Sequence, residues 1–406
     1  MTHVHPLRAG ADTRPAGLDI ADILRLHGDE ANARFHFDAA QRRVMNHIVT
    51  CRTAALGGHI ETCDHCLFSR PAYNSCRDRH CPKCQALRQA LWVAARLERI
   101  LPCPHVHVVF TLPGLLRPLA KACPRIVFDL LFRAASDTLA TFARDPKWLG
   151  AQIGVTAVLH TWTRDLQFHP HLHCVVTGGG LSGDGSRWVT GDHGPRFIFP
   201  VAALAKVFRG KILEAIEQLD IVTRQAANID DEDRFRRLLD RLHRLRWIVY
   251  AKAPFAGSRH VFKYLGRYTH RVAISNQRLV AADDQAIKFA TKDGQFATLD
   301  PVTFVRRFLD HVLPDRFVKI RHYGLYASSN VNGRLETARA LLPPEQQPPP
   351  KVEPVPATET KEVDPTDVLT ALLGTELLRC PACKLGTMRR GDLIAPTLLP
   401  RARGPP

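Results

Sequence analysis

Apolar positions along the chain recur with two periods, and these mark out helices and strands before any chemistry is considered. Across residues 18–49, Ile20, Ile23, Leu24, Phe35, Phe37, Val44 and Ile48 recur at helical spacing and predict two helices joined near Gly28. Residues 85–101 put Leu87, Leu91, Ala94, Ala95 and Ile100 on one helical face, ended by Pro102 and Pro104. The run HVHVVFTL, residues 105–112, is β-branched and aromatic and reads as a strand. Residues 115–144 are helical with a break at Pro124. Residues 152–165 and 169–177 then read as two antiparallel strands joined by a short turn, after which Gly178, Gly179 and Gly180 let the backbone turn sharply. No phosphate-loop Lys-Ser/Thr follows those glycines.

Downstream, an amphipathic helix is expected over 201–219 and a highly charged one over 229–246, followed by a strand over 247–251. Short β segments fill 272–299, a helix 301–312 and a basic, aromatic strand 316–326. The stretch LLPPEQQPPPKVEPV reads as a linker, with a short helix near 368–378 and a lone Cys380-Pro-Ala-Cys383 after it. The pattern gives an α+β chain. Its expected divisions are a flexible 1–17, a helical metal-binding unit 18–101, a catalytic unit 102–340, a linker 341–358 and a tail 359–406.

Charge narrows the partner. Lys and Arg exceed Asp and Glu by 56 to 39, giving +17 and a pI near 9.7, which suits a polyanion such as DNA. No lipidation signal or long basic amphipathic helix accompanies that charge, so no membrane partner is expected. No apolar run reaches membrane-spanning length and residues 1–22 lack a signal-peptide core, so the expected location is the cytoplasm, on DNA.

In such a compartment cysteines read as metal ligands, and six of the eleven lie between Cys51 and Cys84. Cys63-Asp-His-Cys66 and Cys81-Pro-Lys-Cys84 have the spacing of two zinc knuckles, so Cys63, Cys66, Cys81 and Cys84 are the expected ligands of a structural Zn²⁺. Cys76 and His80 are alternates that could replace a member. Arg77, Arg79 and Lys83 nearby are candidate phosphate contacts.

His169, His171 and His173 alternate along one predicted strand and so share a face. His171 and His173 form a chelating pair, and His160 on the partner strand is placed to be a third ligand, leaving positions open for a phosphate oxygen. His105-Val106-His107 repeats the pattern but has no third ligand nearby, so it is read as a decoy.

The segment KYLGRYTHR puts Tyr264 and Tyr268 on one helical face beside Lys263, Arg267 and Arg271. A phenol titrates near ~10, so an attacking tyrosine needs such cations or a metal-activated electrophile. By itself the segment favours the plainer reading, a Tyr/Leu core face with a solvated basic face. A basic chain, a zinc module, a histidine strand pair and a two-tyrosine helix together suggest nucleophilic cleavage of single-stranded DNA. Trp162, Arg321, His322 and Tyr323 are candidates to stack on or track the strand.

The His171-Leu172-His173 motif followed by a tyrosine helix resembles the HUH endonucleases. The longer strings RTAALGGHIETCDHC, YNSCRDRHCPKCQ, HVVFTLP, LGAQIGVTAVLHTW, HPHLHCVVTGGGLS, KYLGRYTHRVAISN, FVRRFLDHVLP and IRHYGL resemble the two-tyrosine, rolling-circle transposases of the insertion-sequence-91 family. The likeness covers roughly residues 35–330. It implies a zinc-binding domain followed by a transposase domain around a central antiparallel sheet of HUH type, flanked by helices. It further implies metal ligation by His171 and His173, attack by Tyr264 and Tyr268 through 5′-phosphotyrosine, and nicking and joining of single-stranded element ends with Mg²⁺ or Mn²⁺. His160 as third ligand follows from the related relaxases. A plasmid replication initiator or relaxase, and a non-catalytic zinc-dependent DNA-binding regulator, are the alternatives; DNA cleavage separates the last from the enzymes.

Overall fold

A computed structural model describes residues 18–84, 99–190, 199–252, 273–342 and 378–397. Helix α1 (Ile20–Phe35) starts at Asp19, whose carboxylate accepts the Ala21 N–H, and stops at His36 in the left-handed region. Helix α2 (Ala39–Thr50) opens on a reciprocal capping box between Asp38 and Gln41. The break expected near Gly28 therefore lies at residues 36–38. Gly28 sits inside α1, where a Cβ would stand 2.8 Å from Met45 Sδ of α2. Its missing side chain brings the two helices together, at a propensity cost of about 1 kcal/mol.

A hairpin follows, β1 (Gly58–Cys63) and β2 (Ser69–Tyr73). Strand β3 (His105–Thr111) leads to α3 (Arg117–Ala122) and α4 (Pro124–Arg144), with Pro124 in the first turn of α4 where its absent N–H costs nothing. Next come β4 (Ala151–Gln152), β5 (Gly154–Trp162), β6 (Phe168–Thr177), β7 (Gly179–Ser182) and β8 (Trp188–Thr190). Helices α5 (Val201–Glu217), α6 (Ile221–Ala226) and α7 (Glu232–Arg244) precede β9 (Val249–Lys252). Strands β10 (Leu279–Ala282), β11 (Ile287–Ala290) and β12 (Phe296–Leu299) form a small meander before α8 (Pro301–Leu309), β13 (Ile320–Gly324) and α9 (Arg334–Ala340). A last strand, β14 (Met388–Ile394), was not anticipated from the sequence.

The glycine run also differs from expectation. Gly178, Gly179 and Gly180 have no positive φ; the latter two belong to β7. A Cβ on Gly179 would lie 2.6 Å from Val189 O, and one on Gly180 2.7 Å from Gln152 O. They permit close strand approach rather than a turn.

The architecture is α+β around a five-stranded sheet of order β13-β5-β6-β3-β9, antiparallel at every pairing. Alternation sorts its residues. Val106, Val108, Phe110, Val155, Ala157, Leu159, Leu172, Cys174 and Val176 bury against Phe128, Phe132 and Leu139 of α4 and Leu204, Phe208 and Ile212 of α5. Each of the Val, Leu, Ile and Phe side chains contributes about 1.5–3 kcal/mol of burial, so this face anchors the sheet. The opposite face, by the same period, carries His105, His107, His160, His169, His171 and His173. A second core joins α1, α2 and α8 to the meander through Ile20, Ile48, Phe289, Phe304 and Phe308. Among the described residues no helix is long and apolar enough to cross a membrane.

Candidate metal centres and nucleic-acid interface

The two central strands assemble the histidines. His160 on β5 lies directly opposite His171 on β6, and the register shifts just beyond it, before Trp162. The ligand nitrogens of His160, His171 and His173 all fall within 4.8 Å of one another. His160 is buried, with its ring stacked on Trp162 at 4.6 Å and tilted against His173 at 4.3 Å. Trp162, considered above as a base-stacking residue, is thus occupied with His160.

Hydrogen bonds orient the other two rings. His171 Nδ1 lies 2.7 Å from the His169 carbonyl, which can only accept, so Nδ1 carries the proton and Nε2 is left as the donor atom for a metal. His171 Nε2 lies 3.1 Å from His173 Nε2, and His173 Nδ1 lies 2.7 Å from His107 Nε2. With the His171 proton on Nδ1, these distances suit donation from His107 Nε2–H to His173 Nδ1 and from His173 Nε2–H to His171 Nε2. If His173 Nε2 is to ligate, its proton must sit on Nδ1 and donate to His107. Burial pushes the His171 imidazole down to about 4 and holds His173 well below the usual range, so both are neutral at pH 7, the form that binds cations.

His107 was the residue set aside as part of a decoy. The register of β3 on β6 brings it beside His173, their rings stacked at 4.9 Å. Its neighbour His105 is structural: Nδ1–H donates to Cys103 O, and Nε2 accepts from Tyr326 Oη, each at 2.8 Å.

The cysteines form two groups, and not the group expected. Cys51, Cys76, Cys81 and Cys84 come together, and so do Cys63, Cys66, Cys380 and Cys383. The set Cys63/Cys66/Cys81/Cys84 is therefore split. The reason is the β1–β2 hairpin: Cys51 and Cys76 flank its base, while Cys63 and Cys66 sit at its tip. Six residues of β1 separate the ends by roughly 17–20 Å, beyond the reach of one ion. Cys76, an alternate from the sequence, is a member of the first group; Cys51 was missed because it lacks a CxxC partner. In that group Cys84 lies 3.4 Å from Cys51 and 3.7 Å from Cys76. Hydrogen bonds from Cys76 and Cys81 lower the Cys51 thiol to about 7, and those from Cys51, Cys76 and Cys81 lower Cys84 further. Four sulfurs at this spacing fit a tetrahedral Zn²⁺.

His80 is not a ligand. Its Nδ1 lies 2.9 Å from Asp78 Oδ1, and its Nε2 accepts the Leu313 N–H at 3.2 Å, which uses both ring nitrogens. The candidate phosphate contacts divide similarly. Arg79 turns inward and donates to the carbonyls of Pro314 and Phe317, and so braces a turn instead of facing solvent. Lys83 pairs with Asp19 at 2.6 Å, and Arg321 pairs with Asp129 while lying over the Phe132 ring at 4.2 Å. Arg77 is exposed. His322 Nδ1 lies 3.0 Å from Thr156 Oγ1, and Tyr323 packs against the helix-covered core. Lys263, Tyr264, Arg267, Tyr268 and Arg271 lie outside the described residues.

Comparison with known proteins is consistent with this layout. Residues 23–112 match a family described as a transposase zinc-binding domain, and residues 154–333 one described as "Putative transposase". The chain is 43% identical over 404 residues to "Putative transposase y4qJ" of Sinorhizobium fredii, covering 96% of this chain and 98% of that one. It is 31% identical over 294 residues to the transposase for insertion sequence element IS801 of Pseudomonas savastanoi pv. phaseolicola, covering 69% of each. No solved structure matches.

Proposed function

The chain belongs to the insertion-sequence-91 family of transposases, with its zinc-binding domain, and from that premise we propose that it nicks and rejoins single-stranded DNA through tyrosine. The observation that carries this reading is the cluster of His160, His171 and His173 at the centre of the sheet. The donor set fits a divalent ion. Three imidazoles without a carboxylate favour Mn²⁺ over Mg²⁺, which prefers oxygen ligands. When bound, such an ion supplies Lewis-acid polarisation of a phosphate oxygen.

The remaining chemistry belongs to the chain. One of Tyr264 and Tyr268 gives up its phenolic proton to solvent and attacks phosphorus; a phosphorus–tyrosine oxygen bond forms, the bond to the 3′ oxygen breaks, and that oxygen takes up a proton as it leaves. A 5′-phosphotyrosine results, and the second tyrosine permits a second cut while the first is occupied. Lys263 and Arg267 offset the phenolate and the charge that builds on the phosphate, and Arg271 binds the backbone. Strand β9 ends at Lys252, whose register partner on β3 is the residue after Val106, namely His107. The chain thus leaves the sheet beside the histidine strands a short run before the tyrosines. Cys51, Cys76, Cys81 and Cys84 would hold the structural zinc.

The test is a nicking assay on a labelled single-stranded element end, with and without Mn²⁺, followed by mass analysis of the adduct. Nicking and a covalent adduct are expected for the wild type and lost in Tyr264→Phe/Tyr268→Phe and in His171→Ala/His173→Ala. Full nicking by the double tyrosine variant overturns the reading. Sequence-specific binding without cleavage by the wild type favours the regulator instead.

A further inference from the structure

The second cysteine group includes residues from both ends of the chain. Cys63 and Cys66 lie within residues 23–112, matched to the zinc-binding family; Cys380 and Cys383 lie beyond both matched stretches. Cys63 Sγ is 3.8 Å from Cys383 Sγ, and Cys66 Sγ is 3.7 Å from Cys380 Sγ. Four thiolates around zinc, each about 2.3 Å from the ion, stand about 3.8 Å apart along a tetrahedron's edges.

The two CxxC turns also repeat one another. In each, the residue after the second cysteine has positive φ, Leu67 at 58° and Lys384 at 61°. In each, its N–H returns to the carbonyl of the first cysteine, at 3.2 Å and 3.0 Å. Backbone N–H groups point at the sulfurs: His65 and Cys66 donate to Cys63 Sγ, and Gly386 to Cys383 Sγ, at 3.4–3.5 Å. A Cβ on Gly386 would stand 2.5 Å from Cys63 Sγ, so only glycine lets the two turns close on each other.

Packing gives an independent reason to expect an ion. Strand β14 pairs antiparallel with β1 on the edge away from β2, from Gly58–Ile394 to Cys63–Met388. The buried side chains of this three-stranded ribbon are Cys63, Cys380 and Met388, while Leu67, Leu385 and Leu393 are more than 70% exposed. Such a core buries too little apolar surface to order a ribbon without a staple. Asp64 helps, accepting the Thr387 N–H at 2.7 Å and pairing with Arg389 at 3.1 Å, but this contact is exposed.

We propose that Cys63, Cys66, Cys380 and Cys383 bind a second structural Zn²⁺ that clasps the C-terminal strand to the N-terminal zinc-binding domain. The proposal does not depend on the cleavage chemistry. All four positions are taken by protein sulfur, so the ion's role is structural.

Zinc content is read by mass spectrometry on the full chain in a His171→Ala/His173→Ala background, which removes the histidine site from the count. Two zinc ions per chain are expected, falling to one in Cys380→Ser/Cys383→Ser and also to one in Cys76→Ser/Cys81→Ser. Unchanged zinc after Cys380→Ser/Cys383→Ser overturns the proposal. A second measurement keeps all cysteines: a protease site is introduced between Pro350 and Lys351 and the cut chain is captured by a tag at its C-terminus. The large fragment should stay bound until a zinc chelator is added. Its release without chelator overturns the clasp even if the serine variants fail to fold.

Discussion

Replacing His107 by alanine removes the hydrogen-bond partner of His173 Nδ1, 2.7 Å away, without touching any of the three candidate ligands. With an ion held at His173 Nε2, the ring's proton must lie on Nδ1, and His107 Nε2 is where it points. Losing that acceptor weakens the ligand's orientation and basicity, an effect usually worth 10–100-fold in metal affinity, or about 1.4–2.7 kcal/mol. The surroundings lead to the same size by a separate route: His107 is buried and His173 half-buried, and a buried donor deprived of its acceptor costs about 1–3 kcal/mol. The half-saturating Mn²⁺ concentration should rise 10–100-fold, read directly by the free-Mn²⁺ electron paramagnetic resonance signal and again in the nicking rate. Nicking at saturating Mn²⁺ should recover to within a few-fold of wild type. His107→Gln, whose Oε1 can accept the same proton, should recover most of the affinity. A His107→Ala half-saturation within twofold of wild type, in a chain with unchanged melting temperature, refutes the orienting role.

Two further outcomes follow from buried polar groups. Burial holds His105 at about 4 and His311 at about 3, so both are neutral in the folded chain. Below about 6.5 the unfolded chain takes up protons that the folded one refuses, so stability should be full above that pH. The rings' contribution should fall as pH drops and be exhausted below about 3, with His105 contributing on the order of 3 kcal/mol and His311 on the order of 5 kcal/mol. Equal urea midpoints at pH 7 and pH 5 would contradict this. Tyr326→Phe strips the hydroxyl that donates to His105 Nε2 and accepts the Leu101 N–H, and should cost about 1–3 kcal/mol in urea unfolding; a change under about 0.5 kcal/mol would mean the contacts are dispensable.

The histidine strand pair was legible because the information is local. Period-2 alternation sets which residues share a face, and a short turn between 162 and 168 leaves little freedom in the pairing, so His160 opposite His171 follows from spacing. His107 lies outside the three-ligand group, as its reading as a decoy expected, but its place beside His173 was not legible, for the opposite reason. The strand beside β6 on its other edge is β3, whose connection to it runs through α3, α4, β4 and β5, and such a choice of neighbour is made by packing against α4 and α5. The H-apolar-H pattern occurs twice because both strands lie mid-sheet with the same face turned away from the helices. Arg79 shows the related limit for charge: composition placed it near a nucleic-acid surface, and two carbonyls of the 314–317 turn draw it inward.

The cysteines show why sequence proximity misleads in a metal module. A hairpin between two cysteine-rich turns carries its tip away from its base, so the CxxC at the tip cannot join the CxxC beyond the base, however close they are in sequence. Each knuckle must find its partners elsewhere: Cys81 and Cys84 in Cys51 and Cys76 at the base, Cys63 and Cys66 in a turn more than 300 residues downstream. The hairpin is consequently held at both ends, and the ends have unequal duties. The base group follows directly on α2 and is packed into the core shared by α1, α2 and α8, so losing it detaches the hairpin from that core. The tip group has almost no apolar packing beyond its own sulfurs, so losing it frees β14 and the tip while the base stays folded. The two ions would therefore unload separately, the exposed tip first, and β14 would leave with it.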